Sequence, residues 1–275
     1  MAFCGQHIFY IGKVEIMIGV YDSGLGGLTV LSELVKARGR RDYLYFADSK
    51  HCPYGLKTND FLRERAEAVS RFLINRGADM IVVACNTATA AAISHLRSTF
   101  SIPFVGMEPA IKPAILNTRT GVVGVLATAV TFTGELYHKT LEHFTAGQEG
   151  IKVIEQVGYG LVEAVEGGLI HAPETIDLLH KYIDPMLAAG ADHIVLGCTH
   201  YPFLADEIAK ICNGRATIVN PAPAVARQAV KLYKDTPRGK GDWQFFSSAT
   251  FSPEAADIIK GICGRHRYCL NDNIL

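Results

Sequence analysis

The chain of 275 residues carries no net charge: 27 basic side chains balance 27 acidic ones, and lysines and arginines nowhere form a run. Nucleic-acid partners demand a basic patch or stripe, so none is expected. No apolar run approaches the roughly 18 residues of a membrane span, so no membrane partner is expected either. Cysteine is sparse and poorly arranged for structural use. The seven (Cys4, Cys52, Cys85, Cys198, Cys212, Cys263 and Cys269) make an odd set without a C-x-x-C pair, which fits neither a disulfide framework nor a zinc ribbon. Also missing are a P-loop, an H-E-x-x-H, any Cys/His metal spacing and a strand-end lysine suited to a PLP Schiff base. The expected site uses no metal and no cofactor. The opening MAFCGQHIFYIGKVEI places Lys13 after its apolar stretch rather than before it, unlike a secretory leader. A cytoplasmic location with reduced cysteines is therefore expected.

What is present is apolar material. With 49% hydrophobic residues and zero net charge, disorder is excluded, and the length suits one large domain or two of ordinary size. Short β-branched runs alternate with amphipathic helical stretches, the pattern of an α/β fold with mostly parallel sheets. Expected strands are Ile16–Tyr21, Tyr43–Ala47, Met80–Ala84, Phe104–Gly106, Val122–Leu126, Lys152–Glu155, His193–Leu196 and Thr217–Val219. Expected helices include Asp60–Asn75, Ala88–Thr99, Pro173–Ala189 and Pro202–Cys212.

Internal repetition is the strongest signal. GADMIVVAC at 77–85 and GADHIVLGC at 190–198 agree at six of nine positions, and IGVYDS at 18–23 is echoed by VGVLAT at 123–128. Two copies of this size exclude a solenoid. They imply two pseudo-symmetric α/β domains with the active site in the cleft between them. The first is expected at 17–108 plus 221–275 and the second at 109–220, with residues 1–16 as an N-terminal extension. The segment from Pro221 reads as a helix with prolines in its first turn, returning to the first domain. Thr236–Gly241 reads as a loop, and the tail from Trp243 as a strand, a loop and a helix.

Cys85 and Cys198 each end an expected strand and open a helical segment, CNTATA and CTHYPF. Ligands of open α/β sheets bind outside the carboxyl ends of the strands, and the N–H groups and helix dipole there favour a thiolate. Service as a small buried apolar residue is the common fate of a free cysteine, and it is the reading for Cys4, Cys52, Cys212, Cys263 and Cys269. Two cysteines at matching positions of a repeat, each followed by hydroxyl and amide side chains, point instead to a pair of acid/base groups. Racemisation at carbon needs such a pair: one group removes a proton from one face and the other returns one to the opposite face. An ordinary thiol pKa of about 8.5 makes both protonation states reachable near neutral pH with modest tuning.

Asp22 and Ser23 follow the first strand in GVYDSGLGG, where Gly24, Gly26 and Gly27 permit a tight turn into a helix near Leu28. The spacing is not G-x-G-x-x-G, because Thr29 stands in the third glycine's place. Asp22 suits a helix cap or a group that orients a substrate amine. Pro53, Tyr54 and Gly55 lie beyond another strand end, where an ordinary turn is an equal reading. Thr128 and Thr131 follow VVGVL, as ligands for a carboxylate or as helix caps. His200, two residues after Cys198, is placed to help form its thiolate. Glu166 is a carboxylate beside a glycine pair.

GVYDSGLGGLTVL at 19–31, PYG at 53–55, ACNTATA at 84–90, VGMEPAIKPA at 105–114, LAT at 126–128 and LGCTHYPFL at 196–204 together resemble the glutamate racemase family. The resemblance runs from about residue 17 to at least residue 225. It implies cofactor-independent interconversion of L- and D-glutamate, supplying bacterial peptidoglycan synthesis, in a protein that is commonly a homodimer. It further implies that Cys85 acts on D-glutamate and Cys198 on L-glutamate, with Asp22, His200 and Glu166 assisting proton movement. Asp22, Ser23, Pro53, Tyr54, Gly55, Asn86, Thr87, Thr128, Thr199 and His200 are implied as the substrate pocket. Two departures stand out. The family usually begins near IGVYDSG, which makes Met17 a natural start, and ADSKHCPYG replaces a Gly-Asp-Thr type of segment. The same two thiols would serve a racemase of aspartate or another acidic amino acid, whose pocket differs in length. A binding protein on the same fold is the non-catalytic alternative.

Overall fold

The computed structural model describes residues 16–38, 41–108, 110–146, 150–233 and 239–275. The extension up to residue 15, with Cys4, and the first half of the Thr236–Gly241 loop lie outside the described residues. In chain order the strands are β1 (Met17–Asp22), β2 (Asp42–Ala47), β3 (Met80–Val83), β4 (Phe104–Gly106), β5 (Val122–Ala127), β6 (Lys152–Val157), β7 (His193–Gly197), β8 (Thr217–Val219), β9 (Trp243–Ser247) and β10 (Tyr268–Asn271). They form two sheets, ordered β10-β9-β2-β1-β3-β4 and β6-β5-β7-β8. Every pairing is parallel. DYLYFA in β2 and MIVV in β3 are buried along their whole length. Strands covered by helices on both faces need no polar alternation.

The sequence repeat is a repeat of register. Ile18 pairs with Met80 across β1 and β3, and the equivalent residues Val123 and His193 pair across β5 and β7. The helix before each repeat also ends in the same way. Gly77 and Gly190 adopt φ of +94° and +93°. That left-handed backbone lets the N–H of Ala78 reach the carbonyl of Leu73, and that of Ala191 reach the carbonyl of Met186, both at 3.0 Å. These bonds close the helices Asn59–Asn75 and Pro173–Ala188. The aspartate of each GAD then fastens the start of a neighbouring strand. Asp79 accepts from the N–H of Met17 at 2.9 Å, and Asp192 accepts from the N–H groups of Arg119 and Thr120 at 2.7 and 3.2 Å. Cys85 and Cys198 therefore emerge at equivalent points of the two sheets.

The helix Ala222–Tyr233 packs on the helix Leu28–Arg38. β9 extends the first sheet, with Trp243 opposite Tyr43 and the indole N–H donating to the Arg41 carbonyl at 2.8 Å. Two expectations need correction. The tail adds a last strand, β10, in which Tyr268, Cys269 and Leu270 are exposed; a short outer strand without a buried face imprints no periodicity. The segment expected as the helix Pro202–Cys212 begins as a 3₁₀ turn, Tyr201–Leu204, and becomes α-helical over Ala205–Cys212. Three-residue bonds from Tyr201 N–H to the Cys198 carbonyl and from Phe203 N–H to the His200 carbonyl, both 3.1 Å, tighten it. Among the described residues no helix is long and apolar enough to cross a membrane.

Candidate active site

The carboxyl ends of the strands in both sheets border a cleft whose lining includes Cys85 and Cys198. Ser23, Pro53, Tyr54, Gly55, Thr87, Thr128, Thr199 and His200 also line it, whereas Asp22, Asn86 and Glu166 are not part of that lining. The sequence reading missed Leu56, Ala129, Val162, Glu163 and the stretch Val157–Gly160, all of which face the cleft. Val157–Gly160 begins at the last residue of β6, so the strand-end rule applied to the other loops also points to it.

Cys85 caps the helix Asn86–Thr99 from an extended backbone, and its Sγ accepts from the N–H of Ala88 at 3.4 Å. Its Sγ–H donates to Oγ of Ser23 at 3.7 Å. The expected preference for a thiolate is overturned here: burial first, then the Asp22 carboxylate, push the Cys85 thiol well above its ordinary value despite the Ala88 N–H. Cys198 has a different setting, opening a turn instead of an α-helix, with Nδ1 of His200 at 3.7 Å.

Asp22 is fully buried, accepting from the N–H of Gly24 at 3.0 Å and from the hydroxyl of Thr199 at 3.2 Å. It thus shapes its own turn and also ties β1 to the loop after β7. Burial raises its pKa, and the charge of His200 with the N–H groups of Gly24 and Gly27 pulls it back only in part. His200 donates through Nε2 to Glu166 at 2.6 Å, and the same carboxylate oxygen accepts from the N–H of Leu25 at 2.7 Å. Burial opposes the imidazolium, but hydrogen bonds with Cys198, Cys52 and Glu166 outweigh it and hold His200 well above its usual value. Burial also opposes the Glu166 carboxylate, yet His200, the Leu25 N–H and Cys52 keep it below the usual range. Both shifts favour the charged form of each partner. Their approach needs glycine opposite: a Cβ at Gly26 would overlap Nδ1 of His200, and one at Gly24 would overlap Oε1 of Glu166.

Hydroxyl groups join the halves elsewhere. Oγ1 of Thr128 lies 2.9 Å from Oγ1 of Thr87 and 2.9 Å from Oγ1 of Thr131. Thr128 heads the helix Ala129–Thr133 without a side-chain bond to its backbone and lines the cleft. The Tyr54 hydroxyl donates to Asp48 and accepts from Tyr21 at 2.8 Å. Asp48 in turn accepts two 2.9 Å bonds from Arg65 and one of 2.9 Å from His51. Burial would raise the Asp48 pKa, but the hydrogen bonds from Arg65, Tyr54 and His51 hold it below the ordinary carboxylate range. Asn86 is buried, and its Oδ1 has no hydrogen-bond partner among the described residues. Cys212 and Cys263 are core residues and Cys269 is exposed. Cys52, read from sequence as filler, lies with its Sγ 3.8 Å from Glu166, and burial raises its thiol to about 11.

The Asp/Glu/hydantoin racemase family model matches residues 21–229. The chain is 49% identical over 219 residues to the glutamate racemase of Roseiflexus sp. (strain RS-1), covering 79% of each protein. It is 49% identical over 213 residues to that of Methylococcus capsulatus, covering 78% of each. Among solved structures, a glutamate racemase isoform from Bacillus anthracis aligns with a TM-score of 0.82 at 28% identity, over 96% of this chain and 98% of that one. Escherichia coli glutamate racemase in complex with L-glutamate and the activator UDP-MurNAc-Ala aligns with a TM-score of 0.81 at 30% identity, over 95% of this chain and 100% of that one.

Proposed function

The chain belongs to the Asp/Glu/hydantoin racemase family and is an amino-acid racemase, and we propose that its substrate is glutamate, racemised at Cα by Cys85 and Cys198. The observation that carries this reading is that the two cysteines, at equivalent ends of register-matched strands, face one cleft. A Cα held between them exposes one face to each sulfur. One thiolate removes the α-proton, and the opposite thiol delivers its proton to the other face of the planar intermediate. The enzyme finishes a turnover with its two protonation states exchanged, so the reverse enantiomer enters the same cycle. Cys198 serves L-glutamate and Cys85 serves D-glutamate.

The remaining residues divide by position. The His200–Glu166 pair stands behind Cys198 and holds or releases its proton, while Asp22 does the same on the side of Cys85. Ser23, Thr87, Thr128 and Thr199 offer hydroxyl groups to the substrate's polar ends, and Pro53, Tyr54 and Gly55 form a wall of the cleft. We take 17–108 with 221–275 as one domain and 109–220 as the other. On the family resemblance we infer a cytoplasmic homodimer whose D-glutamate supplies peptidoglycan synthesis.

The test is to incubate chelator-treated protein with L-glutamate in D2O without added cofactor, following optical rotation and α-deuteration together. Loss of rotation with deuterium entering Cα is the expected outcome. Folded protein with reduced cysteines that exchanges neither enantiomer of glutamate overturns the assignment, and exchange with aspartate instead replaces the substrate.

A further inference from the structure

Three side chains from separate stretches of the sequence meet at His200, in the lining of the cleft. Sγ of Cys52, a carboxylate oxygen of Glu166 and a ring nitrogen of His200 all lie within 4.8 Å of one another. Sγ of Cys52 is 3.8 Å from Oε1 of Glu166, which is 2.6 Å from Nε2 of His200. Thiolate, imidazole and carboxylate are the ligands that zinc and its neighbours take, with water as a common fourth. We propose that Cys52, Glu166 and His200 form a binding site for a zinc-class divalent cation, and that its occupancy arrests turnover.

Little rearrangement is needed. Bonds of about 2.0–2.1 Å to nitrogen and oxygen at a tetrahedral angle set those two atoms roughly 3.3 Å apart, against 2.6 Å between Nε2 and Oε1 now. Cys52 and Glu166 are partly exposed while His200 is buried, so the ion approaches from the thiol side. Two protons leave to solvent on binding, one from the Cys52 thiol and one from Nε2 of His200. The metal then replaces the proton that His200 and Glu166 share. No step of the proposed reaction uses Cys52. The binding site stands independently of that reaction, whereas the arrest rests on it: a His200 held by metal through Nε2 is withdrawn from proton exchange with Cys198.

Titration of the chelator-treated full chain with Co2+ reads the site through thiolate-to-cobalt charge-transfer absorption, and Zn2+ then displaces the cobalt. One equivalent is expected. Loss of an outer-sphere partner alone typically costs 10- to about 100-fold in metal affinity, so Cys52→Ala, which removes a ligand, should weaken binding at least about 100-fold. The variant should lose Zn2+ inhibition by the same factor, each protein being compared with its own metal-free rate. Cys52→Ser keeps the side-chain size and should behave alike with an unchanged melting temperature. A thiolate–cobalt band that persists in Cys52→Ala overturns the site. A band that vanishes while Zn2+ still stops that variant at the parent's concentration overturns the arrest. If the metal-free chain does not racemise at all, the functional reading fails while the cobalt titration still decides the site.

Discussion

Glu166 accepts a 2.6 Å hydrogen bond from Nε2 of His200, although 34 residues separate the two in the chain. The opposite ring nitrogen faces Cys198, so the carboxylate acts on the thiol only through the ring. Glu166 is one of the three partners that lift the His200 pKa against burial. In Glu166→Gln the anion is gone, and the imidazolium gives up its proton at lower pH. The alkaline limb of the kcat/KM profile should move toward acid. The rate above neutral pH should fall by about tenfold, a fraction of the 10²–10⁴ that positioned proton transfer contributes. Rate profiles of the two proteins between pH 6 and 10 check this, and a limb that stays in place removes His200 from the relay.

Cys85→Ser and Cys198→Ser should each lose racemisation by at least about 100-fold, the lower bound for a positioned acid/base group. Elimination from an analogue with a β leaving group needs only one base. Cys85→Ser should therefore retain elimination from the L-analogue, and Cys198→Ser from the D-analogue. If either variant processes both enantiomers equally, the assignment of one thiol to each face is wrong.

At Gly26 an added methyl group meets the ring of His200. Gly26→Ala displaces that ring, and misplacement of about 1 Å costs on the order of 100-fold in rate. The stability cost of such overpacking is about 1–3 kcal/mol. The expected signature is a folded protein, by thermal melting, with kcat reduced far more than KM is raised.

Asp48 binds Arg65, Tyr54 and His51 from a buried position. Its native pKa lies below that of the unfolded chain, so its contribution is complete above the ordinary carboxylate pKa of about 3.9 and fades as pH falls below that value. Asp48→Asn leaves the Arg65 cation without its anion and should cost about 3 kcal/mol at neutral pH. It should also flatten the acid-side decline in stability. Denaturant melts from pH 7 down to pH 3 measure both effects. A variant with the parent's acid slope would show that Asp48 is not the group responsible.

The two halves and both thiols were legible because their requirements are local. A left-handed glycine, an aspartate that accepts a backbone N–H from a neighbouring segment and a buried strand lie within nine residues, and the chain writes them twice. Asp22 was legible as a turn former, but its bond to Thr199 spans 177 residues and leaves no mark beside it. Cys52 looked like filler for the same reason: Glu166 lies 114 residues away. The Asp48–Arg65 pair is closer in sequence but joins a loop to a helix, and charges on such elements usually face solvent. Cys85 marks another limit. Its place at a helix N-terminus could be read from the strand–helix pattern, whereas the burial and the Asp22 charge that reverse its acidity belong to the assembled cleft.

The order in which a ribosome delivers this chain decides which sheet is finished first. β5 to β8 span 122–219 and complete their sheet from contiguous sequence, whereas β2 must wait for β9, which begins at Trp243. Until then β2 presents the open edge of an otherwise buried strand, rich in tyrosine and phenylalanine. A nascent chain stalled before Trp243 would carry a complete second sheet beside a first sheet with β2 still unpaired on one side. The edge of β2 is covered only when β9 pairs with it, and the outer edge of the sheet then passes to β10.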